Sequence, residues 1–92
     1  MKITWTKAAM GDLVRLHEFL KPVNQQAAAK AVQRLTDAPD VLKAQPRIGT
    51  KLAEFEPREV RYILAGDYEM RYEIRADEQI WILRIWHTRE FR

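Results

Sequence analysis

The apolar residues of this chain change their spacing once along the sequence, near Pro57, and that change limits the folds that the chain can adopt. Before Pro57, apolar residues such as Ala9, Leu13 and Leu16 recur every three or four positions, which is the spacing of one helix face. After Pro57, apolar and polar residues alternate, which is the spacing of a strand with one buried face. The pattern predicts an α+β protein in which helices precede most of the strands.

Two helices are predicted in the first half, after a short β-type run at residues 2–5. Thr6 has the side chain of a helix N-cap, and the helix that follows should end before Pro22, because proline disfavours helical geometry in the preceding residue. Asn24 is expected to cap a second helix that continues through Ala38. The connection between the two helices is short, so we expect them to form a helical hairpin.

A connecting segment is predicted at residues 39–57, which prolines and a glycine interrupt, and we expect its Val41 and Leu42 to pack onto the core. Three strands joined by short turns follow, at 58–64, 68–75 and 80–87. Because short connections force neighbouring strands to be antiparallel, the sequence predicts a two-layer β-α-α-β-β-β fold. Its helical hairpin packs on one face of an antiparallel sheet, to which the N-terminal strand can add.

Length and composition exclude several classes of protein. Ninety-two residues predict a single domain spanning 1–92, and the apolar content of 47% is enough to build one core. The chain has no Cys, which excludes disulfides and thiolate metal sites and suits a reducing compartment. No run approaches the ~18 apolar residues of a membrane span, and the N-terminus lacks the apolar stretch of a signal peptide. We therefore expect a cytoplasmic protein with no membrane partner.

The lengths of the two turns predict which residues face each other across the strands. A three-residue first turn would put Leu64 opposite Tyr68, and a four-residue second turn would put Arg75 opposite Ile80. The resulting register predicts one apolar sheet face toward the helices, made of Val60, Tyr62, Leu64, Tyr68, Met70, Tyr72, Ile74, Trp81, Leu83 and Ile85.

The same register predicts that Arg61, Arg71 and Arg84 form a row on the opposite sheet face, with Trp86 beside them. Like charges directly opposite one another destabilise a sheet, so such a row needs compensating carboxylates or an anionic partner. A guanidinium group also suits carboxylate or phosphate recognition. This face is therefore a candidate binding surface.

Few residues are available for catalysis. His17 and His87 are the only histidines, and no metal-binding, glycine-loop or serine-nucleophile motif occurs, so we expect neither a metal nor a cofactor. His87 is predicted opposite Tyr68, at the end of the last strand and just before a tail that runs to Arg92. There it could either cap the edge of the core and hydrogen-bond Tyr68, or transfer a proton to or from a phosphodiester.

The chain resembles the RelE/ParE superfamily of bacterial type II toxins, the growth-inhibiting halves of toxin-antitoxin pairs. The resemblance spans nearly the whole length. It is carried by Ile3-Thr4-Trp5, Asp12-Leu13, the passage from Leu35 to Pro46-Arg47-Ile48-Gly49, Arg58-Glu59-Val60-Arg61, Gly66 to Tyr72, and Ile82 to Arg89. The resemblance implies the same fold that the periodicity predicts.

The superfamily includes toxins that cut messenger RNA on the ribosome and toxins that poison DNA gyrase, so the resemblance implies either activity. An RNase of this kind would use Arg71, His87 and Arg89 as its catalytic residues. However, Glu69 follows Tyr68 where RelE-like enzymes carry a catalytic Arg, and the RelE pattern is broken there. A gyrase poison needs no catalytic set. We therefore favour a ParE-like gyrase poison, with a ribosome-dependent endoribonuclease as the alternative.

Both activities imply a cognate antitoxin that neutralises the toxin. Residues 1–46 carry seven basic and four acidic groups, while residues 47–92 carry nine of each, so the first half holds the formal net charge of +3. An acidic amphipathic segment of the antitoxin would suit that half. The expected contacts to antitoxin or target are Arg61, Arg71, Arg84, Trp86, His87 and Arg89.

Overall fold

A computed structural model describes residues 2–90 of the chain, and the order of its elements contains the predicted β-α-α-β-β-β series. Three of its elements, a short helix, a two-residue strand and the 3-10 helix Ala53–Phe55, fall inside the predicted connecting segment. The helices and strands are β1 Lys2–Trp5, α1 Lys7–Leu20, α2 Gln25–Asp37, α3 Asp40–Ala44, β2 Thr50–Lys51, β3 Glu59–Ala65, β4 Tyr68–Arg75 and β5 Gln79–His87.

Both long helices begin at the caps that the sequence predicts. The Thr6 hydroxyl accepts a hydrogen bond from the Ala9 amide at 3.0 Å, and the Asn24 side chain accepts one from the Ala27 amide at 3.0 Å. Each cap satisfies a backbone N–H that has no partner within its own helix. Helix α1 ends at Leu20, shortly before Pro22, as expected.

The strands form one five-stranded sheet in the order β1-β5-β4-β3-β2. Strand β1 pairs with β5 in parallel, with Trp5 opposite Ile82, whereas the other neighbours are antiparallel. The sheet is therefore mixed rather than wholly antiparallel. The physical reason is that short turns fix the direction of successive strands only, and β1 is separated from β5 by most of the chain.

The helical hairpin packs on one face of the sheet, as predicted, and the hydrophobic core lies between the two layers. Tyr72, Leu35 and Ile82 are among its fully buried side chains. Partly buried apolar residues from β1 and α1, such as Trp5 and Leu13, extend the same cluster. We call this the helix side of the sheet, and the opposite side the outer face.

The predicted connecting segment is held against the sheet by Tyr72. Its hydroxyl donates to the Pro46 carbonyl at 2.6 Å and accepts from the Gly49 amide at 3.1 Å. A Cβ on Gly49 would lie 2.6 Å from that hydroxyl, so a side chain does not fit there. Leu42 is fully buried, as expected, but Val41 is 42% exposed and does not pack into the core.

The first turn is one residue shorter than predicted, and this changes the face on which β3 presents its side chains. Ala65 lies opposite Tyr68, so Gly66 and Asp67 form the whole turn, and Gly66 adopts a φ of 62° that favours glycine. Arg61 consequently pairs with Tyr72 and lies on the helix side. The prediction that Arg61 lies on the same face as Arg71 and Arg84 is therefore wrong.

The second turn is also one residue shorter than predicted, because Arg75 lies opposite Gln79. A β-bulge at Leu83 then shifts the register back by one residue, so that Arg71 does lie opposite Arg84. Before the bulge the faces are reversed from the prediction. Ile82 is fully buried on the helix side, whereas Trp81 lies on the outer face.

Candidate functional site

Arg71 and Arg84 lie side by side on the outer face, and their environment differs from an exposed basic patch. The Arg71 guanidinium carbon is 5.2 Å from the ring centre of Phe55 and 4.7 Å from that of Trp86. Its side chain is only 21% exposed, and its NH2 group lies 3.6 Å from a Glu69 carboxylate oxygen. Its Nε is buried without a hydrogen-bond partner among residues 2–90. Arg71 is therefore enclosed between two rings rather than freely accessible.

Arg84 forms a two-point ion pair with Asp12 of helix α1. Its Nε donates to Asp12 Oδ2 at 2.8 Å and its NH2 donates to Oδ1 at 3.1 Å. This hydrogen bonding raises the pKa of Arg84 above its ordinary value. The guanidinium carbon also lies 5.1 Å from the Trp86 ring centre. The two opposed arginines are compatible because each has its own carboxylate and both contact one aromatic ring.

Asp12 is a member of the site that the sequence analysis missed. It is only 4% exposed, and its Oδ2 accepts a hydrogen bond from the Ile85 amide at 2.8 Å. The signal was present in the spacing, since Asp12 stands three residues after Ala9 and four before Leu16, which are both buried. Asp12 thus fastens α1 to the part of β5 that lies beyond β1.

Arg61 was predicted to lie on this surface, but it lies elsewhere. It lies on the helix side, where its NH1 donates to the Gly49 carbonyl at 2.8 Å and its Nε donates to a Glu59 carboxylate oxygen at 3.0 Å. Its side chain is 17% exposed. Its contacts hold the segment before β2 in place.

A second group of charges on the outer face is formed by two arginines that share one carboxylate. The buried Glu73 carboxylate accepts from Arg58 Nε at 2.9 Å and from Arg75 Nε at 2.8 Å. The hydrogen bond from Arg58 is the main reason that the pKa of Glu73 lies below its ordinary value. Arg75 in addition stacks on Trp81, at 4.4 Å from the ring centre.

His87 lies opposite Tyr68 on the helix side of the sheet, as predicted. The two rings meet edge to face with their centres 5.3 Å apart, and His87 Nδ1 accepts the Arg89 amide at 3.1 Å. The residues after β5 are fixed by two further contacts. The Thr88 amide donates to the Asp67 carbonyl at 2.8 Å, and the His87 amide donates to Glu90 Oε1 at 2.9 Å.

A cleft of about 590 Å³ lies between α1 and the end of β5, next to His87. Burial raises the pKa of Tyr68 in its wall, and the nearby carboxylates of Asp67 and Glu90 add to the effect. Of the predicted tail, Phe91 and Arg92 lie outside the described residues. The lining comprises Arg15, Leu16, Phe19, Leu20, Asp67, Tyr68, His87, Arg89 and Glu90.

Apart from Arg61, the predicted site residues fall into two groups, separated by the sheet. Arg71, Arg84 and Trp86 meet on the outer face, whereas His87 and Arg89 line the cleft on the helix side. Within residues 2–90, no three His, Asp or Glu side chains are arranged to hold a metal ion. In the same part of the chain, no helix is long and apolar enough to cross a membrane.

Comparison with known proteins agrees with this architecture. Residues 3–91 match the model of the family described as ParE toxin of type II toxin-antitoxin system, parDE. Toxin RelE2 of Caulobacter vibrioides is 31% identical over 87 residues, which cover 95% of this chain and 94% of the relative.

Two solved structures share the fold. A chain of the chromosomal ParDE TA system from P. aeruginosa superposes with a TM-score of 0.78 at 23% identity, covering 95% of each chain. A chain of the archaeal RelE-RelB complex from Pyrococcus horikoshii OT3 superposes with a TM-score of 0.67 at 18% identity, covering 98% of this chain and 97% of the other. The family match over residues 3–91 shows that the chain belongs to the ParE toxins of type II toxin-antitoxin systems, within the RelE/ParE superfamily.

Proposed function

We propose that this toxin inhibits growth by binding DNA gyrase in the cytoplasm, and that a cognate antitoxin neutralises it. The proposed contact surface lies near the end of β5 and has two parts, Arg84 and Trp86 on the outer face and His87 and Arg89 on the helix side. Arg71 contributes to this surface indirectly, since its guanidinium group packs against the Trp86 ring at 4.7 Å. No catalytic step is required of these residues.

The observation that carries the proposal is the separation of Arg71 from His87. Cleavage of a phosphodiester requires the acid, the base and the cation to reach the same phosphate, each within hydrogen-bonding distance. Arg71 lies on the outer face between Phe55 and Trp86, whereas His87 faces Tyr68 on the helix side. One phosphate cannot contact both residues through the sheet, which favours binding over RNA cleavage.

The position that follows Tyr68 supports the same choice. RelE-like enzymes carry a catalytic Arg there, but this chain has Glu69, which is 8% exposed and lies 3.6 Å from the Arg71 guanidinium. The buried Glu69 carboxylate beside Arg71 lowers the attraction of Arg71 for a phosphate. The Trp86 ring, which could stack on an RNA base, is in contact with both Arg71 and Arg84.

The antitoxin is proposed from the structural neighbours and from the charge of the first half. The two neighbours are described as a ParDE system and a RelE-RelB complex. Helix α1 presents exposed apolar side chains, Met10 at 58% and Val14 at 63%, in the half of the chain that carries the net positive charge. An acidic amphipathic segment fits such a surface.

A ribosome-dependent endoribonuclease is the second candidate, and the cleft beside β5 supports it. His87, Tyr68 and Arg89 all line this cleft, so an imidazole, a phenol and a guanidinium group face one space. These groups could move a proton and stabilise a charged phosphate without Arg71. This arrangement would require the message to enter from the helix side.

The test is a pair of titrations with the purified toxin. One measures DNA supercoiling by gyrase, and the other measures message cleavage on ribosomes. We expect inhibition of gyrase, weakened by Arg84→Ala and unchanged by Lys30→Ala, which removes an exposed cation on α2. Message cleavage by the wild-type toxin, with no effect on gyrase, would replace the first candidate with the second.

A further inference from the structure

One buried carboxylate connects helix α1 with both parts of the proposed contact surface. Asp12 uses both of its oxygens: Oδ2 accepts from Arg84 Nε and from the Ile85 amide, each at 2.8 Å, and Oδ1 accepts from Arg84 NH2 at 3.1 Å. Oδ1 also lies 3.4 Å from Arg15 NH2. Four hydrogen bonds from three residues thus converge on a side chain that is 4% exposed.

The direction of the Arg84 side chain depends on this carboxylate. Its other partner is the Trp86 ring, which also contacts Arg71, so without Asp12 two like charges would share one ring. The Arg84 side chain is 44% exposed, and water therefore competes for its donors. Loss of the negative charge would release the guanidinium group toward solvent.

Arg15 connects Asp12 with the residues after β5. Its NH2 also donates to the Ile85 carbonyl at 3.1 Å, while its NH1 donates to Glu90 Oε2 at 2.6 Å. The other oxygen of Glu90 accepts the His87 amide at 2.9 Å. A continuous series of contacts therefore runs from Asp12 through Arg15 and Glu90 to His87.

We infer that Asp12 is a positioning residue, which sets the direction of the Arg84 guanidinium group and, through Arg15, the path of the chain after β5. The statement that Arg84 and the residues after β5 contribute to toxicity rests on the proposed function. Their positions are a property of the toxin itself and can be measured without a target. A purely structural Asp12 would fasten α1 to the Ile85 amide and would leave Arg84 free to move.

The first measurement is proton exchange with solvent in the full chain, followed by nuclear magnetic resonance. In the wild-type toxin, the Arg84 Nε–H should exchange at least about tenfold more slowly than that of Arg34, an exposed arginine on α2. Asp12→Asn should remove most of this difference, since an amide keeps one acceptor for Ile85 and loses the charge. Glu18→Gln, an exposed change on the same helix, should have no effect.

Equal exchange at Arg84 and Arg34 in the wild-type toxin would overturn the inference, and so would an Asp12→Asn variant that folds and retains slow exchange at Arg84. If Asp12→Asn does not fold, the comparison of Arg84 with Arg34 in the wild-type toxin still tests whether the Arg84 guanidinium group is held in one direction. Arg15→Gln tests whether Asp12 acts through Arg15 on the chain after β5. It should speed exchange of the His87 amide and leave Arg84 unchanged, and an unaltered His87 amide would refute the link to the chain after β5.

Gyrase inhibition separates this inference from the proposed function. In a variant that carries both Arg84→Ala and Arg15→Gln, adding Asp12→Asn should weaken inhibition no further than about twofold, because both routes by which Asp12 acts are already removed. Independent effects that multiply would contradict a positioning role. If Arg84→Ala leaves inhibition intact, the proposed surface is wrong, while the exchange rates still decide whether Asp12 positions Arg84.

Discussion

Arg71 and Arg84 lie directly opposite each other on β4 and β5, and both guanidinium groups contact the single ring of Trp86. Two like charges directly opposite each other on neighbouring strands repel unless other groups compensate for them. Glu69 and Asp12 supply one carboxylate to each arginine, and the ring adds a cation-π contact to both. The pair is therefore part of the stable outer face as well as of the proposed contact surface.

The first prediction concerns the shared ring. Trp86→Ala should lower the free energy of unfolding by about 1–4 kcal/mol, because it removes two cation-π contacts worth roughly 0.5–2 kcal/mol each. Trp86→Phe keeps a smaller ring and should lose less. Urea unfolding followed by circular dichroism measures both variants. An alanine variant as stable as the wild-type toxin would mean that the ring does not stabilise the arginine pair.

The second prediction compares two glycines. Gly49→Ala should destabilise the fold by about 1–3 kcal/mol, since its Cβ would lie 2.6 Å from the Tyr62 carbonyl and from the Tyr72 hydroxyl. Gly11→Ala is the matched control. It lies within α1, where the added carbon would meet no atom within 4 Å apart from the neighbouring backbone of its own helix, and should stabilise the protein by about 0.5–1 kcal/mol. Thermal unfolding of the two variants should therefore shift in opposite directions, and shifts of the same sign would contradict this account.

The third prediction is a pH dependence that arises from Glu73. Arg58 and Arg75 hold the pKa of this carboxyl below its ordinary value of 4.5, so the folded state binds its proton less readily than the unfolded state does. The stabilisation is fully present above the ordinary pKa and is lost as the pH falls through the lowered one. Glu73→Gln should lower stability at pH 7 and make the acid-induced loss smaller.

Urea unfolding between pH 7 and pH 3 tests this dependence. Glu54→Gln, a change at an exposed glutamate, serves as the control and should follow the wild-type curve. If the Glu73 and Glu54 variants show the same pH dependence, the ion pairs of Glu73 do not contribute to acid sensitivity.

Much of the fold is encoded in local patterns of the sequence. The caps at Thr6 and Asn24 and the change of spacing near Pro57 are local signals, and the two long helices and the last three strands begin and end within about one residue of the predicted positions. The face of β3 was not predictable in this way. Ala65-Gly66-Asp67 has turn chemistry for two or three residues, and only the three-dimensional pairing of Ala65 with Tyr68 decides between them.

The arrangement of the candidate site residues was predicted in part, for a related reason. Arg71, Arg84 and Trp86 are adjacent as expected, because the bulge at Leu83 cancels the error in the second turn. A bulge leaves no distinct mark in a sequence of alternating residues. Asp12 was not predicted as a site residue, although its spacing from Leu16 puts it on the buried face of α1.

The last prediction uses His87 to distinguish the two candidate activities. If the toxin cuts RNA with His87 as the proton-transfer group, His87→Ala should lower cleavage by roughly 10²- to 10⁴-fold while ribosome binding persists. In a gyrase poison the same change should cost at most about 1–3 kcal/mol of target affinity, so that a higher toxin concentration restores inhibition. We expect this graded loss, since His87 and Arg71 lie on opposite sides of the sheet. Parallel titrations of wild-type and variant toxin, against ribosomes with message and against gyrase with supercoiled DNA, make the comparison. Site-specific message cleavage that disappears in the variant would establish the endoribonuclease instead.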